Sequence, residues 1–348
     1  MKALFIGLGS IGQRHLRNLK KLRPDIDIMA VRSQRIAPVL SDSNQVMNEV
    51  NIKDYYQLIE FDSIDKALSC KPDIVFVTNP SSMHVDFAKE ALKSDAFIFI
   101  EKPLSHNYDG VEELIEIEKN IGINKIFVGY QFRFNPALTL VKKILKENGI
   151  GNLVGAQLVN GEYLPNWHPY EDYRLSYASR KDLGGGAIVS QIHDFDYAIW
   201  LFGNPQKIYA VGGHLSELEI DVEDSVQVLM QCSDIPVSIQ LDYVQWPPRR
   251  EISITGDKGS IQCNLITMEV IVNNRITEST KKYDFPNFNR NDLFLDEMKN
   301  FLAFANGDEE PVINCIDGAN SLRVALAAKS SVTSGNLIKL SWDKNNEE

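Results

Sequence analysis

The sequence predicts an α/β protein that begins with a doubly wound parallel sheet and continues into an α+β domain with a largely antiparallel or mixed sheet. Three observations predict it. Short, nearly continuous apolar runs alternate with amphipathic stretches through about residue 130. A glycine-punctuated turn follows the first of these runs, and the second half holds successive strand-like runs without helices between them. Continuous apolar strands alternating with helices read as a parallel sheet covered on both faces, whereas strands following one another directly read as hairpins. A chain of 348 residues also exceeds the size at which one core stops growing, about 250 to 300 residues, so two domains are expected, 1–125 and 126–348.

In the first domain the apolar runs at 3–6, 26–31, 74–77, 97–100 and 125–128 predict strands. A helix entered at Ser81 and Ser82 places Val85, Ala88 and Leu92 on one face. Another over 108–120 buries Val111, Leu114 and Ile115 and exposes Glu112, Glu113 and Glu116. After Pro136 the rhythm changes: a helix to 147, a strand over 153–158, an aromatic loop over 163–177 and a helix over 187–202. Strands are predicted at 208–212, 225–232, 237–243, 251–255 and 268–272, then helices over 292–306 and 317–334 and a strand over 338–342.

Composition narrows the function classes. Apolar residues at 44% and charged residues at 24% describe a folded globular protein, not a disordered one. A net charge of −11 without a basic patch argues against nucleic-acid and membrane-surface partners. No apolar run reaches the roughly 18 residues of a membrane helix. Cys70, Cys232, Cys263 and Cys315 have no C-x-x-C spacing. They suggest neither a metal site nor a disulfide framework, and read as buried thiols of a cytoplasmic protein.

The chemistry begins at the first turn. Gly7, Gly9 and Gly12, with Ser10 and Ile11 between the last two, have G-x-G-x-x-G spacing directly after a strand and at the start of a helix. The first glycine permits the tight turn, the second lets the backbone approach a pyrophosphate, and the third lets the helix pack on the strand. The helix start then offers unpaired N–H groups to phosphates. This is a candidate dinucleotide site. Where an acidic residue would bind the ribose 2′-hydroxyl of NAD, the chain has Arg32, Ser33 and Arg35, a setting suited to a 2′-phosphate. NADP is therefore the expected cofactor, with NAD as the alternative.

Further candidates are Thr78-Asn79-Pro80 with His84, Glu101-Lys102-Pro103 after the 97–100 run, the segment GYQFRFNP over 129–136, and the 184–203 stretch that contains His193. Lys102 stands where a parallel strand ends, and ligands of open α/β sheets bind at such ends. An imidazole, with an unperturbed pKa of about 6.5, suits proton exchange near neutrality, and an ammonium group stabilises developing alkoxide charge.

In order and spacing, these segments and the glycine turn resemble the glucose-fructose oxidoreductase and inositol dehydrogenase (Gfo/Idh/MocA) family over nearly the whole chain. The resemblance implies a Rossmann domain followed by a domain whose open sheet often joins copies of the chain, here as a dimer or tetramer. It implies redox chemistry on a sugar, a cyclitol or a nucleotide-linked sugar. It places Lys102 between nicotinamide and substrate and His193 opposite, with Thr78, Asn79, Pro80, His84 and Glu101 as candidate cofactor-binding residues. Many members carry an aspartate four residues before the histidine, whereas this chain has Val189 there and Ser190 next. Asp194 and Asp196 are the alternative carboxylates. The loop after 160 adds Tyr163, Trp167, Arg174 and Tyr177 as candidate substrate contacts, aromatic and basic groups suited to sugar rings and anions. Two other readings are a non-catalytic dinucleotide-dependent sensor and an enzyme that uses the dinucleotide transiently in glycoside cleavage or epimerisation.

Overall fold

A computed structural model describes residues 1–32, 38–41 and 45–342. The chain divides into two compact units: Met1–Gln131 with Asn291–Ala319, and Phe132–Arg290 with the chain from Asn320 onward. This division differs from the one expected at 125/126. The last parallel strand lies beyond that point, and a late segment returns to the first unit, where the Val128 N–H donates to the Ile313 carbonyl at 3.0 Å.

The first unit runs β1 (Lys2–Ile6), α1 (Ser10–Leu22), β2 (Asp27–Val31), a small hairpin of β3 (Val39–Leu40) and β4 (Val46–Met47), α2 (Ile52–Tyr56), β5 (Ile59–Phe61), α3 (Ile64–Leu68), β6 (Ile74–Val77), α4 (His84–Leu92), β7 (Phe97–Glu101), α5 (Val111–Ile121) and β8 (Ile126–Gly129). Among the described residues its main sheet has the order β5-β2-β1-β6-β7-β8, every neighbouring pair parallel. The order reverses between β1 and β6, so the crevice at their carboxyl ends is the switch point at which open α/β sheets bind ligands. β5 was not foreseen: it is a short edge strand, and its Ile59 is exposed. The core is aromatic. Phe5 stacks on Phe76 at 4.5 Å, and Phe301 of α9 (Arg290–Ala305) sets its ring 5.3 Å from Phe76, 5.4 Å from Phe99 and 5.7 Å from Phe127.

The second unit contains α6 (Pro136–Lys146), β9 (Leu153–Gly161), α7 (Ala187–Ser190), α8 (His193–Phe202), β10 (Pro205–Gly213), β11 (Ser225–Cys232), β12 (Ile235–Asp242), β13 (Arg249–Gly256), β14 (Gly259–Asn264), β15 (Glu269–Asn274) and β16 (Ser279–Asp284). From Asn320 it takes the rest of α10 (Cys315–Ser334), then β17 (Ile338–Lys339). Among the described residues the sheet order is β16-β15-β14-β13-β9-β12-β11-β10-β17, with β9–β12 parallel and the other pairs antiparallel. This is the open, mostly antiparallel sheet expected. One face buries Ala210, Val228, Ile239, Leu158 and Ile252, and helices α6, α7 and α8 pack against the sheet. On the other face Tyr209, Leu229, Ser238, Gln157 and Ser253 stand opposite one another across five strands. That row carries no charge.

Asn135 starts α6 by accepting from the Ala137 and Leu138 N–H groups at 2.9 and 3.2 Å, and Pro136 follows at a position where its missing N–H costs nothing. The helix expected over 187–202 is broken. Gln191 and Ile192 separate α7 from α8, and His193 is the first residue of the second piece.

Candidate active site

In the first unit, the turn between β1 and α1 has the geometry its glycines suggested. Gly7 has φ +95°, and a Cβ there would lie 2.8 Å from the Asn79 backbone. A Cβ on Gly12 would lie 2.5 Å from the Gly7 carbonyl oxygen and 2.8 Å from Thr78 Oγ1. Gly9 is the opposite case: a Cβ there would meet nothing within 4 Å. Gly9 caps α1 without a side-chain hydrogen bond, and no acidic residue stands in the first turn, which includes Ser10 and Ile11. An uncapped helix start facing open space suits a pyrophosphate. Asn79 supplies a second sign of a ligand, because both polar atoms of its side chain are buried without a hydrogen-bond partner among the described residues. The residues present therefore fit a dinucleotide.

The neighbouring turns are fastened to this one. Thr78 is buried and its hydroxyl donates to the Gly7 carbonyl at 2.6 Å, so it holds the turn in shape. Pro80 leads the short turn Ser81–Met83, and α4 begins only at His84, later than the serines suggested. His84 was expected at the cofactor. Instead it is buried, with ring nitrogens 2.8 Å from the Asn79 and Pro103 carbonyl oxygens. Burial pushes its pKa down, and a neutral ring donates to one of the two. It acts as a clamp between the turn after β6 and the turn that carries Lys102.

Arg32 is also committed. Its Nη1 lies 2.6 Å from Glu60 Oε1 on β5, which differs from the free guanidinium expected beside a 2′-phosphate. Ser33 and Arg35 fall outside the described residues.

Glu101 ends β7 and is buried, with Oε2 2.9 Å from His15 Nε2. The His15 ring lies 4.7 Å from that of Phe99, inside the aromatic core. Glu297 of α9 is fully buried with both carboxylate oxygens lacking a hydrogen-bond partner among the described residues. Burial, and then the charge of Glu101, push its pKa well up, so the fold favours its neutral form. Above the ordinary carboxylate range the unfolded chain releases a proton that the folded chain keeps, so Glu297 costs stability increasingly as pH rises. Glu297→Gln is accordingly expected to raise the thermal midpoint at about pH 8 by roughly 2–4 °C and to lose this advantage in acid. Equal midpoints of variant and wild type across that range, by calorimetry, would contradict it.

In the second unit His193 is buried, its ring 4.9 Å from the Phe132 ring. The two carboxylates considered for orienting it are engaged elsewhere. Asp196 takes a two-pronged contact from Arg133, at 2.9 Å from both Nε and Nη2, and the Ser321 hydroxyl at 3.0 Å. Asp194 accepts from Asn160 Nδ2 at 2.7 Å, from the Tyr197 hydroxyl and from Arg250 Nη2 at 3.3 Å. Burial drives Asp194 up to about 6 despite Arg250 and Asn160, so the pKa is a balance of opposing effects.

The substrate loop divides. Trp167 sets its ring edge-on to buried Tyr243 at 5.2 Å, with its indole N–H buried and lacking a partner among the described residues. Tyr163 is exposed and Tyr177 half-buried. Arg174 is the clear difference from expectation: its guanidinium lies 2.7 Å from Asp172 and 2.6 Å from Glu219, and those contacts raise its pKa. It is already supplied with anions. Arg250, which pairs with Asp194 and lies 4.4 Å from the Phe132 ring, was not singled out in the sequence; the Arg249-Arg250 doublet after Pro247-Pro248 was the available signal.

A parallel sheet with an open glycine turn at its switch point defines a dinucleotide-binding protein of Rossmann type. Residues 1–130 match the family model described as oxidoreductase family, NAD-binding Rossmann fold, and residues 138–262 match the GFO/IDH/MocA C-terminal domain. The chain belongs to the Gfo/Idh/MocA oxidoreductase family. It is 26% identical over 348 residues to myo-inositol 2-dehydrogenase of Thermotoga maritima, covering 98% of each chain. It is 24% identical to scyllo-inositol 2-dehydrogenase (NAD(+)) of Bacillus subtilis, covering 98% of this chain and 96% of that one. The fold matches the WlbA dehydrogenase of Bordetella pertussis, solved with NADH and UDP-GlcNAcA, at a TM-score of 0.80 and 19% identity, with 99% of both chains covered.

Proposed function

We propose that the protein is an NAD-dependent dehydrogenase of a secondary alcohol on a sugar, cyclitol or nucleotide-linked sugar, with Lys102 and His193 as its catalytic residues. The observation that carries this reading is the glycine turn: Gly9 faces open space at an uncapped helix start, and the Asn79 amide, whose backbone approaches Gly7, has polar atoms that lack partners among the described residues. Gly7, Gly9, Gly12 and Asn79 would hold the dinucleotide, which supplies the hydride acceptor when bound. His193 takes the proton of the substrate hydroxyl, and Lys102 offsets the negative charge that develops on that oxygen. The inositol dehydrogenases among the relatives support a polyol substrate class. The test is formation of reduced cofactor across a panel of cyclitols, sugars and nucleotide sugars, with the reverse reaction on ketosugars. Failure of every member with both NAD and NADP would sink the proposal.

We infer that NAD is preferred over NADP. Glu60 occupies the Arg32 guanidinium at 2.6 Å, and its carboxylate opposes a 2′-phosphate there. Glu60→Gln is expected to raise kcat/KM for NADP relative to NAD about tenfold, equivalent to ~1.4 kcal/mol. A wild-type protein that already prefers NADP would refute the inference.

A further inference from the structure

We propose that residues 219–223 form a strap that sets the position of the substrate loop and of α7, and that Glu219, Asp221 and Glu223 are positioning residues for the dehydrogenation. The kinetic part of the proposal rests on the dehydrogenase reading, while the strap itself rests on contacts within the second unit.

The run E-L-E-I-D-V-E-D over 217–224 alternates acidic and apolar residues. Leu218 and Val222 are buried, and every second residue from Glu219 meets a further point on the facing chain. At the first point Glu219 Oε2 lies 2.6 Å from Arg174 Nη1, and the Glu219 N–H donates to the Tyr173 hydroxyl at 3.2 Å. At the second, Asp221 Oδ1 accepts from the Lys181 N–H at 2.7 Å, and the Asp221 N–H donates to the Ser179 carbonyl at 3.4 Å. At the third, the Glu223 carbonyl accepts from the Ala187 N–H at 2.9 Å and Glu223 Oε1 from the Ile188 N–H at 3.3 Å. Ala187 and Ile188 open α7, so this tie supplies partners to N–H groups that a helix start leaves unpaired.

The other end of the strap is fixed to the sheet. Asp224 is fully buried, and its carboxylate accepts from the Leu215 and Ser216 N–H groups at 2.8 and 3.0 Å and from the Ser216 hydroxyl at 2.6 Å. Its carbonyl accepts from the Tyr243 N–H at 2.8 Å, and β11 begins at the next residue, Ser225. The glycine run before α7 is fitted to the strap as closely. Gly186 has φ +113°, and a Cβ there would overlap the Glu223 carboxylate, while a Cβ on Gly185 would overlap the Tyr177 and Ala178 carbonyls. Burial pushes the Glu223 carboxyl up, against the pull of Lys329 3.8 Å away, so the fold accepts a desolvated acid at the helix start. His193 opens α8 directly after α7, and any slip of α7 along the strap displaces it.

The strap is tested by steady-state kinetics and amide hydrogen exchange on the full chain. Asp221→Ala, which frees the loop, is expected to raise the substrate KM about tenfold with kcat within a factor of about two. Glu223→Ala, which frees α7, is expected to lower kcat about tenfold or more while the NAD Kd stays within a factor of about two. Asp221→Asn and Glu223→Gln keep an acceptor oxygen in place and should recover most of each loss. Exchange reads the ties without any substrate: the Lys181 amide in Asp221→Ala and the Ile188 amide in Glu223→Ala should exchange about tenfold faster than in wild type, and the conservative variants should not. Glu217→Ala, at an exposed acid of the same run without a side-chain partner among the described residues, should change none of these. Asp221 is exposed, so its variants keep the test meaningful should Glu223→Ala fold poorly. An active wild type whose Asp221→Ala and Glu223→Ala variants match it in KM and kcat, or whose conservative variants lose as much as the alanines, would overturn the strap and spare the dehydrogenase reading. A wild type that oxidises no member of the substrate panel would remove that reading, and the kinetic role of the strap with it, whatever the exchange rates.

Discussion

Replacing His193 with glutamine is expected to lower turnover about 10²–10⁴-fold, the range that a positioned general base contributes, while dinucleotide affinity stays within a factor of about two. The separation follows from the architecture: His193 belongs to the second unit, whereas the glycine turn and Asn79 belong to the first. Glutamine is preferred to alanine because His193 is buried against Phe132, and a smaller side chain would open a cavity. Lys102→Met, which keeps the aliphatic stem and removes the charge, is expected to cost about 10²–10³-fold in turnover. On the proposed mechanism both act on one proton transfer, so the double variant should lose much less than the product of the two. Turnover within tenfold of wild type in either single variant would exclude that residue from the chemistry.

The second large effect separates two glycines of one motif. Gly12→Ala forces a methyl group to within 2.5 Å of the Gly7 carbonyl oxygen, which is backbone and cannot swing away. The helix must move off the strand, so both stability, by about 1–3 kcal/mol, and dinucleotide binding should suffer. Gly9→Ala meets nothing within 4 Å and has an unstrained φ of −69°. Its thermal midpoint should match wild type while dinucleotide affinity falls at least tenfold, because the methyl group enters space that a pyrophosphate needs. Unchanged affinity in Gly9→Ala would show that no phosphate approaches this turn.

What could be read from the sequence depended on how much of each signal was local. Strands buried on both faces, such as β6 at Ile74–Val77, are continuous apolar runs bounded by turn residues, and β11 was found with its observed limits. β5, β14 and β16 were missed because they are short or polar, and a strand such as S-T-K-K-Y-D carries almost no apolar signal. The break between α7 and α8 was hidden for the opposite reason. Nearly every residue from Ala187 to Ala198 is buried, so no exposed face marks a helical phase. Arg174 illustrates the limit for charges. Asp172 stood two residues away in the sequence, but Glu219 reaches it only through the fold. His84 was expected at the cofactor, whereas its ring nitrogens meet the Asn79 and Pro103 carbonyl oxygens, since a motif singles out a side chain and not what it touches.

The return of Asn291–Ala319 to the first unit bears on how the chain is made. During synthesis the parallel sheet emerges first, yet the Phe76, Phe99 and Phe127 rings have no Phe301 to close over them until the intervening second unit has been translated. The nascent nucleotide-binding half therefore carries an uncovered aromatic surface for most of translation, the kind of transient exposure on which chaperones act. Its completion waits on a segment near the opposite end of the message.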